Sequence, residues 1–164
     1  MDLEASLGLE LPNTLKISLQ VCNSSPSIIE KSCCLHTGGG GKLFDTNEID
    51  ELYKEMNLYN YYDGEAMSYS KVDCSLESNI TWSKYFIPIY SWNCNEYALI
   101  DLRPESNNRG QILYVDPEFS VLGIWAKSYE EFLESIANAI LDHGEFNQND
   151  MKQIRDKIYK ATKG

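Results

Sequence analysis

Between Trp82 and Trp125, four short runs rich in β-branched and aromatic residues follow one another with only turn residues between them: Trp82 to Tyr90, Glu96 to Leu102, Gly110 to Val115 and Phe119 to Trp125. Runs of this length predict strands. Connections this short join neighbouring strands antiparallel, because a parallel pair needs a crossover of a dozen or more residues. The stretch over about 82–125 therefore predicts a meander in an antiparallel or mixed sheet. Several runs are apolar at consecutive positions (Phe86-Ile87, Leu99-Ile100, Ile112-Leu113), so both faces of the sheet need cover. Pro88 lacks a ladder donor, which predicts an edge or a bulge in its strand.

The cover has to come from helices on either side in the sequence. Leu3, Leu7, Leu15, Leu19 and Cys22 recur at helical spacing, interrupted by Gly8 and by Pro12, which suits the first turn of a second helix. Asp45 and Glu48 form a capping pair, and Ile49, Leu52, Tyr53 and Met56 then mark one face of a helix expected to end near Asn57. Ser128 to Glu131 is a capping box, followed by Phe132, Leu133, Ile136, Ala139 and Ile140. Asn149 is the expected cap of a last helix, about 149–162, bearing Met151, Ile154, Ile158 and Tyr159. Residues 23–41 predict a brief strand at Ser27 to Leu35 and then a mobile glycine loop; residues 59–78 predict a loop with one brief strand. The fold class is α+β. Its 164 residues suit a single domain over 1–164, since two would each have too little core.

The chain carries 14 basic and 25 acidic residues, a formal charge of −11. That balance repels nucleic acid and anionic lipid and attracts basic surfaces. The five cysteines, at 22, 33, 34, 74 and 94, have no repeating spacing. With no stretch resembling a signal peptide or membrane span, they predict free thiols in a reducing cytoplasm.

Reactive constellations are scarce. In a regular strand Glu96 and Asp101, five positions apart, point to opposite faces and cannot share one reacting group. Cys33, Cys34 and His36 are too few and too close in sequence to build a tetrahedral metal site. His143 beside Gly144 reads as a helix stop, and the glycines before Lys42 lack the spacing of a phosphate loop. No catalytic, cofactor-binding or metal residues are assigned, and no enzyme is expected. A cysteine enzyme using Cys94 is the competing chemical reading.

The order of YFIPI, NEYALIDL, RGQILYV and KSYEEFL resembles the SUKH superfamily, with Pro88, Ile89, Asn95, Asp101, Leu102, Gly110, Ser128, Phe132 and Leu133 at the matching positions. ASLGLELPNTLKISLQVCN is similar to that group's opening, and FDTNEIDELY to the segment after it, so the resemblance spans about residues 3–142. The turn SWNC stands where a glycine-rich turn is usual, and Ser24-Ser25 where two glycines are. The resemblance implies a non-enzymatic protein-binding module: an immunity protein neutralising a cognate toxin of the nuclease or deaminase class, or a regulatory protein of the cell-wall-assembly type. No catalytic residues come with it.

A basic toxin is the expected partner, with no direct nucleic acid and no membrane. Residues 43–77 hold nine acids against Lys54 and Lys71, and residues 128–145 hold five acids and no base. Tyr61, Tyr62, Asp63, Glu65 and Asp73 are the expected partner-binding residues, combining aromatic anchors with an acidic rim.

Overall fold

The computed structural model describes residues 2–24, 41–62, 83–93, 96–104, 106–115 and 121–161. Two helices open the chain, α1 (Leu3–Leu7) and α2 (Asn13–Ser24). A short strand β1 (Gly41–Leu43) leads to helix α3 (Thr46–Tyr62). Strands β2 (Phe86–Trp92), β3 (Glu96–Asp101), β4 (Ile112–Val115) and β5 (Val121–Ala126) follow, and helices α4 (Tyr129–His143) and α5 (Gln148–Ala161) close the chain. The five strands pair in chain order, β1-β2-β3-β4-β5, and every pairing is antiparallel. The meander predicted over 82–125 is present, in an α+β fold.

The differences from the sequence expectations have local causes. Gly41 is not loop: it opens β1 and pairs with Trp92. A Cβ on Gly41 would lie 1.4 Å from the Tyr90 Oη, so an edge strand can lie this close to the ring only with glycine there. Helix α3 runs on past Asn57 to Tyr62, with the Asn57 side chain donating back to the Tyr53 carbonyl at 2.8 Å inside it. The first long strand begins at Phe86, after a turn closed by the Phe86 N–H on the Ser83 carbonyl, and continues through Ser91 to Trp92, which shortens the expected SWNC turn. The last helix is capped by Asn147, two residues earlier than expected: its Oδ1 accepts from the Asn149 N–H at 2.8 Å, while Asp150 Oδ2 takes the Asn147 N–H at 2.9 Å. The expected strand at Ser27 to Leu35 lies outside the described residues.

Pro88 sits in a strand flanked on both sides, and it is accommodated by a bulge rather than an edge. The β2–β3 register shifts between Pro88 and Tyr90. As a result Ile89 and Tyr90, neighbours in sequence, join the same core.

Both sheet faces are covered, as consecutive apolar pairs require. Ile87, Trp92, Ile100, Ile112 and Trp125 pack with the leucines of α1 and α2, with Phe132 of α4 and with Met151 and Ile158 of α5. Phe86, Leu99, Leu113 and Val115 form a second cluster on the opposite face with Met56 of α3. Each such fully buried side chain contributes about 1.5–3 kcal/mol. Leu11, in the α1–α2 link, also reaches the main core at 3% exposure, through a position the helical pattern skips.

Candidate protein-binding surface

Three corners of the fold are built by buried or half-buried polar groups. At the first, Gly8 closes α1 with φ 65°, and Glu4 Oε1 reaches over the link to accept from the Leu11 N–H at 2.8 Å and from Lys16 Nζ at 3.2 Å. These bonds hold the Glu4 carboxyl below the usual carboxylate range, the Leu11 N–H first and Lys16 next. At the second, Asp101 ends β3 with no exposure. Its carboxylate takes the Arg103 backbone N–H, the Arg103 guanidinium, Ser106 Oγ and Gln111 Nε2, all within 3.2 Å. At the third, Ser128 Oγ caps α4 by accepting the Glu131 N–H, and Tyr129 Oη donates to Ser18 Oγ of α2 at 2.9 Å.

These corners converge on one cleft of about 420 Å³. Glu10, Leu11 and Pro12 come from the first corner, Arg109 and Gly110 from the second, and Lys127, Ser128 and Glu130 from the third. Ile100 and Leu102 lie beneath them. Two carboxylates and two cations around an apolar floor can bind by ion pairing, hydrogen bonding and burial. A second groove, of about 360 Å³, runs between α4 and α5.

Six acids on α3 and α4 are exposed: Glu51, Glu55, Glu130, Glu131, Glu134 and Asp142. Other acids counted in the sequence are committed to the fold. Asp45 caps α3, Glu48 pairs with Lys42, and Asp50, 3% exposed, accepts from Ser6 Oγ and from Lys54 Nζ at 2.6 Å. The Lys54 bond, then the Ser6 bond, hold the Asp50 carboxyl below its ordinary value. Among the described acids of these two helices, those facing outward therefore lie on α4 and on the outer side of α3.

Of the expected partner-binding residues, Tyr61 and Tyr62 stand in the last turn of α3. Asp63, Glu65 and Asp73 lie outside the described residues, as do Cys33, Cys34, His36, Cys74 and Cys94. Glu96 and Asp101 are divided between the sheet faces, Glu96 beside Tyr114 of the main core and Asp101 with Arg103 over the Phe86 ring. Helix α4 stops at Gly144, whose φ is 80°. Among the described residues no three His, Cys, Asp or Glu side chains are placed to hold a metal ion, and no helix is long and apolar enough to cross a membrane.

The corner cleft escaped sequence reading because its lining joins the turn at Glu10 to Pro12 with two turns, at Arg109-Gly110 and Lys127-Ser128, that come far later in the chain. The available signal was that Pro12, Gly110 and Ser128, at positions carrying the family resemblance, all fall on its wall. The model of the SMI1 / KNR4 family (SUKH-1) matches residues 2–135. No curated protein matches the chain.

Proposed function

The chain belongs to the SMI1 / KNR4 family (SUKH-1), and from that premise we propose that it is a non-enzymatic immunity protein that binds and neutralises a cognate toxin of the nuclease or deaminase class through its acidic surface. One domain over 1–164, working in the cytoplasm, is part of this reading. Family membership supports a protein-binding role, immunity or regulatory, and the exposed acids of α4 favour a basic partner. Over residues 128–145 the chain presents five acids and no base.

A toxin that holds nucleic acid needs a positive surface, and an acidic inhibitor raises its own capture rate by about 10- to 1,000-fold through long-range attraction. Tyr61, Tyr62, Asp63, Glu65 and Asp73 remain the proposed contact residues, of which the first two belong to the last turn of α3. Neutralisation then comes from covering the toxin's substrate surface, with no bond made or broken.

The test is capture of the partner from the native host, identified by mass, followed by association rates at rising salt. The rate should fall steeply as the screening length shrinks below about 8 Å. A rate indifferent to salt removes the electrostatic reading. A captured partner that is not toxic, or whose toxicity the chain does not relieve, favours the regulatory role instead.

A further inference from the structure

The groove between α4 and α5 joins a family helix to one outside the family match, which ends at residue 135. Its floor is apolar: Ala139, Phe146 and Ile154 are all partly buried there. Its rim carries Asp142, Asp150 and Lys157. Phe146 is a fixed platform, standing edge-on to Trp92 at 5.5 Å and to Tyr90 at 6.5 Å and lying nearly parallel to Trp125 at 6.4 Å. The helix supplying the far wall is tied to the sheet by Arg155 and by Ile158 against Gly123, so the groove exists before any partner arrives.

We propose that this groove seats a basic side chain, arginine or lysine, projecting from the protein partner. The inference rests on the protein-binding reading above and names the part of the surface that selects the partner. An amphipathic cation fits both chemistries: its methylene stem covers Ala139 and Ile154, its charge sits between the carboxylates, and its head lies over the Phe146 ring. Asp142 is exposed, and no ion pair among the described residues engages it. Lys157 at the rim disfavours a second cation and so admits one basic side chain rather than a basic run. The groove's lining, from Ser135 to Lys157, lies at and beyond the end of the family match.

The test is an NMR titration of the full chain with arginine amide, norleucine amide and glutamate amide. Arginine amide should give saturable shifts at Ala139, Phe146 and Ile154, and the other two should not. Asp142→Asn should weaken that response up to about fivefold, Lys157→Gln should strengthen it, and Glu51→Gln, the same change in net charge on α3, should leave it unchanged. Equal or stronger binding of norleucine amide or glutamate amide, no saturable shift in the groove, or equal weakening by Glu51→Gln would overturn the proposal. Each of those results leaves the salt-dependent capture of a partner as a separate measurement, so the groove can fail while the protein-binding reading stands.

Discussion

Arg155 of α5 grips Glu96 at the start of β3, with Nη2 at 2.7 and 2.5 Å from the two carboxylate oxygens, while its Nε donates to Tyr114 Oη at 3.0 Å. One side chain thereby locks the last helix to two central strands. Both partners are mostly covered, at 28% and 21% side-chain exposure, so the contact is screened less than a surface pair.

Replacing Arg155 by Met should lower stability by about 1–2 kcal/mol, because Glu96 and the hydroxyl of the buried Tyr114 lose a charged donor. Urea unfolding measures it. A double-mutant cycle with Glu96→Gln should show a coupling above about 0.5 kcal/mol; additive losses would mean that the pair is incidental.

Gly123 lies beneath Ile158, and a Cβ placed on it would come within 2.4 Å of the Ile158 Cγ2. Gly123→Ala should therefore cost about 1–3 kcal/mol through overpacking. In an Ile158→Ala background the same substitution should cost almost nothing, since the obstructing methyl is gone. Equal costs in both backgrounds would place α5 differently from the described contact.

The cap of α5 separates two neighbouring asparagines. Asn147→Ala should cost about 1 kcal/mol, whereas Asn149→Ala, inside the first turn, should change stability by less than about 0.5 kcal/mol. Thermal melts of the two variants decide it, and the reverse order would restore the cap expected from sequence alone.

Glu4, Asp50 and Glu130 all have carboxyls held below their ordinary values; for Glu130 the main cause is its own backbone N–H at the start of α4, followed by Ser128. A carboxyl depressed in the folded state adds stability above its unfolded value of about 4, and that stability is lost as pH falls through the folded value. Unfolding free energy should accordingly decline below about pH 4, and Glu4→Gln or Asp50→Asn should flatten that limb. Profiles that keep the same slope in both variants would assign the acid sensitivity to other groups.

Reversing charge on α4 and just past its end tests electrostatic steering. Glu134→Lys with Glu145→Lys should slow association with a basic partner about tenfold at low salt and leave dissociation nearly unchanged. A change confined to dissociation would mean that these acids touch the partner directly.

Much of the architecture was legible because it rests on short-range rules. Antiparallel pairing follows from turns too short for a crossover, and the caps at Asp45 and Ser128 follow from side chains that bond backbone three residues away. Apolar residues at adjacent strand positions announced a sheet covered on both faces. The separation of Glu96 from Asp101 followed from strand alternation alone.

Contacts between distant segments carried no such local mark. Gly41 read as loop, because the reason for a glycine there is the Tyr90 ring, 49 positions along the chain. Acids that look alike in sequence divide into Glu48 and Asp50, consumed by Lys42, Lys54 and Ser6, and those left facing water, and only the packing of α1, β1 and α3 makes that division. The corner cleft likewise arises where turns far apart in the chain meet. Local bonding and hydrophobic period act over a few residues and can be read in order, whereas a binding surface depends on which distant side chains end up adjacent, and that is settled when the core closes.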